Sequence, residues 1–201
     1  FQLEQHLGVV DVALDEAIRR ATSPPDEAKW HLDAKDLVRR RARSRTREPE
    51  LIEDTAVTWS SGLIFYGRLP ATTARESGWY RFTVNASALK SPKEHGVWCT
   101  VRSGRCVSSA PLLNWVGAFE ATANANSWTY ETWIPKGEML EIRPGDTTLK
   151  KARFQGGQVG TGEGGPQNVP GVAIHYMDME RIHHGPDNTT IRQWLFGDLE
   201  V

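Results

Sequence analysis

Aromatic rings and amides crowd one stretch of this chain: Asn114 and Trp115, then Trp128 and Tyr130, joined by Thr122-Ala123-Asn124-Ala125-Asn126-Ser127. Exposed aromatic faces stack on the C–H faces of sugars, while amides, acids and guanidinium groups take the hydroxyls. Trp115, Trp128, Tyr130, Asn114 and Asn126 are therefore the candidate ligand-binding residues, with a polar connection that could line a rim. The competing role for these tryptophans is to fill a hydrophobic core.

Other clusters carry less. His183-His184-Gly185-Pro186-Asp187 offers imidazole and carboxylate to a metal. Neighbouring strand residues point to opposite faces, however, and no second His pair completes a site. Cys99 and Cys106 flank Thr100-Val101-Arg102-Ser103-Gly104-Arg105, read as a hairpin. A two-residue Arg102-Ser103 loop sets the cysteines opposite each other at disulfide distance; a Ser103-Gly104 turn puts them out of register, and two buried free thiols are the alternative. A disulfide would favour an extracellular or periplasmic setting. Neither cysteine belongs to a Cys-x-x-Cys-His haem motif, and two cysteines without a nearby His pair make a poor zinc site. The chain contains no Gly-x-Ser-x-Gly elbow and no His-Glu-x-x-His. Paired carboxylates for glycoside cleavage decide nothing among 25 acids.

Six arginines fall within nine residues, 39–47, an electrostatic footprint for an anionic glycan, nucleic acid or acidic neighbour, or simply a solvated linker. Glu48, Glu50, Glu53 and Asp54 balance part of that charge. The net charge of -1 gives no global pull toward nucleic acid or an anionic membrane. No apolar run approaches the roughly 18 residues of a membrane span. The chain opens on Phe1 inside an apparent helix, as an excised piece would.

Elements that must position these residues are mostly short strands. Residues 1–22 carry Leu3, Leu7, Val10, Leu14 and Ile18 at helical spacing, closed by Ser23-Pro24-Pro25-Asp26. A short second helix is predicted within 33–40. From residue 51 the pattern predicts strands at 55–59, 63–69, 79–88, 97–101, 105–108, 113–122, 128–134, 140–143 and 172–182. Tyr80, Phe82 and Val84 alternate with Arg81, Thr83 and Asn85, as a half-buried strand requires. Pro135-Lys136-Gly137-Glu138 and Pro144-Gly145-Asp146 are turns flanking one strand. Strands at this spacing make a mainly β chain, a β-sandwich of jelly-roll form preceded by a helical segment. The Gly-rich stretch 155–166 reads as a surface excursion too poor in side chains to pack a core, or as a ligand-side loop.

The stretch Pro170-Gly171-Val172-Ala173-Ile174-His175-Tyr176-Met177-Asp178-Met179-Glu180, with Leu195-Phe196-Gly197-Asp198 downstream, resembles the end of a carbohydrate-binding-type module. Such modules occur in large secreted planctomycete-type bacterial proteins that also carry c-type cytochrome and planctomycete-specific domains. The Asp11–Ile18 part of the leading helix, Gly78-Trp79-Tyr80-Arg81-Phe82-Thr83-Val84 and Pro135-Lys136-Gly137-Glu138 are similar too, so the resemblance covers most of the chain. It implies a galactose-binding-like jelly roll over 51–183, a helical segment and basic linker over 1–50, and a tail over 184–201 leading to a following domain. It further implies calcium-assisted sugar binding, with Glu53, Asp54, Asp178 and Glu180 as the metal oxygens. His175 stands where an acid is usual, and Tyr176 where Trp is usual. The expected function is non-catalytic glycan binding within a secreted or periplasmic multidomain protein. The alternative is a structural spacer packing against neighbouring cytochrome-type domains. Expected partners are a polysaccharide and neighbouring domains of the same polypeptide, with neither nucleic acid nor a membrane span.

Overall fold

The structure, a computed structural model, describes residues 2–22, 29–38, 45–107, 109 and 112–199. In chain order the elements are α1 (Gln2–Thr22), β1 (Lys29–Asp33), α2 (Ala34–Leu37), β2 (Arg45–Thr46), β3 (Glu50–Ile52), β4 (Thr55–Trp59) and β5 (Arg68–Leu69). There follow β6 (Gly78–Leu89), β7 (Val97–Gly104), β8 (Asn114–Ala121), β9 (Asn126–Ile134), β10 (Met139–Pro144), β11 (Val159–Gly160), β12 (Gly171–Ile182) and α3 (Asn188–Phe196). One sheet has the order β3-β4-β12-β6-β9, with β1 also paired to β12. A second has the order β5-β10-β7-β8, and β2 and β11 form a small ribbon. The fold is thus mainly β, a jelly-roll type sandwich preceded in the chain by a helix.

Alternation explains the core. Tyr80, Phe82 and Val84 of β6 point inward, and so do Val97, Cys99 and Val101 of β7 and Leu140 and Ile142 of β10. Val172 and Ile174 of β12 and Phe119 of β8 complete the layer. Each such side chain contributes roughly 1.5–3 kcal/mol by leaving water. The unit Lys29–Glu180 holds this sandwich; α1 and α3 belong to a separate unit formed with residues 181–201. Within that second unit, Arg20 donates to Asn188 Oδ1 (3.1 Å) and Pro186 O (2.7 Å), and Asp187 caps α3 by accepting from Thr190 N (2.7 Å). Among the described residues no helix is long and apolar enough to cross a membrane.

The sandwich unit starts upstream of residue 51, because β1 runs antiparallel along β12 with Trp30 opposite Met179. The predicted second helix shrinks to α2, where Asp33 N donates to Asp36 Oδ2 at 3.2 Å. Only Arg68–Leu69 of the predicted strand 63–69 pairs. Before it the chain turns, with Phe65 at φ 57° and Gly67 at φ 95°. A side chain at Gly67 would meet Ile142 O at 2.1 Å, so only glycine fits that close approach.

The disulfide expected between Cys99 and Cys106 does not form; both are buried free thiols. No hairpin turns at 102–104, because Arg102, Ser103 and Gly104 continue β7. Cys99 pairs with Phe119 in mid-strand, while Cys106 lies two residues beyond the strand end. The five steps from Cys99 to Gly104 alone span about 17 Å at ~3.3 Å each, against the roughly 7 Å limit for Cα atoms of a bridge. Burial pushes the Cys106 thiol up to about 12 and the Cys99 thiol higher still.

The Gly-rich stretch does pack, contrary to its composition. Val159 joins Val57, Trp59, Tyr66, Ala152, Val169 and Ala173 in a second apolar cluster. Trp59 Nε1 donates to Glu50 (3.1 Å), and a side chain at Gly164 would sit 2.0 Å from the Trp59 ring. Of the basic run, residues 39–44 lie outside the described residues. Arg45 pairs with Glu163 (2.9 Å) and Arg47 donates to Gly157 O (3.0 Å), so both tie down this loop.

Candidate functional site

On the second sheet, β7 sends Trp98, Thr100 and Arg102 to the face opposite its core residues. Across the ladder Glu120 stands opposite Trp98, Ala118 opposite Thr100, and Trp115 opposite Arg102. A register shift falls between Val101 and Arg102: Val101 pairs with Gly117, but Arg102 pairs with Trp115, leaving Val116 as the extra residue. Strict alternation would send Trp115 inward with Gly117 and Phe119. The bulge turns it outward instead.

The result is a shallow groove of about 360 Å³ bounded by Trp98, Thr100, Trp115, Ala118, Gly145, Asp146 and Thr147. Trp98 is 48% and Trp115 61% exposed, so both rings offer faces to solvent. Gly145 closes one side through its N–H on Trp98 O (2.8 Å). Asp146 accepts from the Thr148 hydroxyl (2.6 Å) and backbone N–H (2.8 Å), and these bonds hold its carboxyl below the ordinary aspartate range. Among the described residues the buried Thr100 hydroxyl has no hydrogen-bond partner. At the other end the Arg102 guanidinium lies over the Trp115 ring, 5.8 Å from its centroid. Open aromatic faces, a small-residue floor and a polar rim suit a ring with apolar and hydroxylated faces.

The outer face of the larger sheet has a depression of about 400 Å³ with a different character. Arg81 pairs with Glu131 (2.6 Å) and Glu180 (2.9 Å), and Lys29 with Glu180 (3.1 Å). His31 Nδ1 shares a hydrogen bond of 2.7 Å with Asp178, and Thr83 one of 2.8 Å with Thr129. Its polar groups satisfy one another, so a ligand there must first break ion pairs. Nearby, Trp79 and Trp133 pack edge to face at 6.4 Å.

The predicted site residues divide between these surroundings. Trp115 lies in the groove, and exposed Asn114 lies beside it, opposite Ser103. Trp128 stacks on Phe119 (4.4 Å, 24°), and Tyr130 packs on Phe82 and donates to Ala118 O (3.0 Å). Both rings face the core, on β9 of the other sheet; Asn126, exposed, opposes Ala86 there. Trp98, Thr100, Arg102 and Asp146 were not among the sequence candidates. The alternation Val97-Trp98-Cys99-Thr100-Val101-Arg102 was the signal that could have found the first three.

The four acids implied for calcium do not assemble one oxygen cage. Glu53 and Asp54 occupy the β3–β4 turn, at φ 46° and 61°, while Asp178 and Glu180 are engaged by His31, Lys29 and Arg81. An ammonium engages one Glu180 carboxylate oxygen and a guanidinium the other. Among the described residues no group of three or more His, Cys, Asp or Glu side chains could hold a metal, and this covers His183 and His184. His175, where the resemblance expects an acid, shares a hydrogen bond of 2.9 Å with Ser87 Oγ.

Neither a protein-family model nor a curated protein matches the chain. Solved structures with similar folds include the CBM22-1 xylan-binding domain of Xyn10C from Paenibacillus barcinonensis (8% identity, 81% of this chain, 100% of that one, TM-score 0.44). They also include Eiger TNF from S. frugiperda (8%, 82% and 97%, TM-score 0.41) and the C-terminal CBM6 of LamC from Zobellia galactanivorans (8%, 76% and 99%, TM-score 0.35). A xylan-binding domain and a TNF protein stand side by side at this distance, so the likeness says nothing of a ligand.

Proposed function

We propose that the unit Lys29–Glu180 is a non-catalytic glycan-binding module, and that its ligand lies in the groove between Trp98 and Trp115. The observation that carries this is the pair of open indole rings on one sheet face, with only Ala118 and Thr100 between them. Burying two such rings against pyranose faces supplies most of the binding energy, and the rim hydroxyls and Asp146 select orientation. Nothing in the groove pairs a nucleophile with a base, so binding is the role its chemistry supports. A secreted or periplasmic multidomain protein as the setting rests on the sequence resemblance; the free thiols remove the disulfide argument for it.

Titration calorimetry against a panel of soluble polysaccharides tests the reading. Binding to at least one glycan, lost in both Trp98→Ala and Trp115→Ala while thermal unfolding stays within a few degrees of the parent, is the expected result. A glycan bound equally well by both variants would move the site elsewhere. A second reading, an interaction module packing against neighbouring domains, is favoured by Leu3, Leu7, Val10, Leu14 and Ile18, exposed at helical spacing on α1. No response to any polysaccharide would leave that reading in place.

A further inference from the structure

We propose that the groove selects an acidic glycan, placing a sugar's anionic group, a uronate carboxylate or a sulfate ester, on the Arg102 guanidinium. This deepens the glycan-binding reading and rests on it. Two neighbouring arginines on this sheet face already have partners. Arg68 pairs with Glu48 at 3.2 Å. Arg143 pairs with Glu141 at 2.8 Å and donates to Leu63 O. Glu120 accepts from Gly96 N at 2.7 Å. Among the described residues Arg102 makes no hydrogen bond or ion pair; its contact is a cation–π approach to the Trp115 ring, 5.8 Å from the centroid. Glu141, its cross-strand neighbour, lies buried; its carboxylate is drawn first to Arg143, at 2.8 Å, and more weakly to Arg102.

With no hydrogen bond or ion pair of its own, the guanidinium keeps its edge donors open, and arginine takes a planar oxyanion through such donors with two parallel hydrogen bonds. The guanidinium also puts the positive charge 5.8 Å from the centroid of the Trp115 ring, so one residue of the glycan at this end meets both groups. The opposite end of the groove carries Asp146, whose charge disfavours an anion. From Trp98 to Arg102 is four strand steps, about 13 Å, room for a short oligosaccharide. The groove is therefore polarised. The acidic sugar belongs at the Trp115–Arg102 end, and hydroxyls only at the Trp98–Asp146 end.

The test compares three probes of equal length by titration calorimetry: an oligogalacturonate, a sulfated galactan oligosaccharide and a neutral xylo-oligosaccharide. The acidic ligand should bind about ten-fold or more tightly than the neutral one at low salt, and lose much of that advantage at high salt. Arg102→Ala should erase the preference, the acidic probe losing about ten-fold more affinity than the neutral one. Arg102→Lys, which keeps the charge without the fork, should retain part of it. Glu141→Gln, removing a negative charge beneath Arg102, should increase the preference. If neutral and acidic probes bind alike, or if Arg102→Ala weakens both equally, the acidic selectivity is overturned and the glycan-binding reading stands. If no glycan binds, that reading fails first and takes this inference with it. Sulfated against carboxylated binding tells the two anion sources apart.

Discussion

Trp128 and Trp115 stand 13 residues apart in sequence, both in the aromatic stretch that first marked the chain, yet the structure gives them opposite roles. Trp128 is partly buried and stacked on Phe119 at 4.4 Å; Trp115 is 61% exposed. Truncating Trp128 to alanine removes on the order of 150 Å² of buried apolar surface, worth about 3–4 kcal/mol at ~25 cal/mol per Å². The lost ring stacking adds about 1 kcal/mol, and partial solvent access takes away a similar amount. The expected cost is therefore about 3–4 kcal/mol, or roughly 10 °C in Tm for a domain of this size. Trp115→Ala should cost under about 1 kcal/mol. Urea unfolding followed by far-UV circular dichroism measures both, and calorimetry with a bound glycan completes the comparison. Trp128→Ala should keep glycan affinity and lose stability; Trp115→Ala should do the reverse. A Trp128→Ala variant as stable as the parent, but unable to bind, would refute the assignment of faces.

Both thiols should be free: denatured protein takes up two equivalents of N-ethylmaleimide without prior reduction, whereas the native protein reacts slowly because burial disfavours the thiolate at Cys99 and Cys106. The hydrogen bond that the His31 ring donates to the Asp178 carboxylate, helped by Asp33, raises the His31 pKa above its ordinary value of 6.5, and an NMR titration of Asp178→Asn should show it fall back. With a raised folded-state value, this contact supports the fold below pH 6.5 and is lost as pH climbs through the raised value, so the variant should match the parent only at the alkaline end. Gly164→Ala forces a methyl to 2.0 Å from the Trp59 ring and should destabilise by about 1–3 kcal/mol in thermal unfolding, more than an alanine at exposed Gly62, which has open space around it. Because Lys29 and Arg81 occupy Glu180, glycan affinity measured with EDTA should equal that with Ca²⁺.

Much of the fold was legible in short-range pattern. Alternation in Tyr80-Arg81-Phe82-Thr83-Val84 marked β6, 55–59 coincides with β4, and the Pro135–Glu138 turn appears with Glu138 N on Pro135 O at 3.0 Å. These features depend on the period of two and on turn chemistry, both local to a few residues. What the amino-acid sequence by itself determined is therefore a mainly β sandwich, its inward residues and a leading helix. Tertiary structure decided the rest. Cys99 and Cys106 stay apart because Arg102 and Ser103 find partners at Glu141 and Leu140 on β10 and extend the strand, a pairing made across nearly forty residues of chain. The Gly-rich stretch packs because Trp59 needs a wall without side chains. Trp115 faces solvent because one extra residue in β8 shifts the register against β7, and a shift of one reverses every later side chain. Whether an aromatic residue belongs to the core or to a ligand thus turned on a long-range register, which no local window of sequence contains.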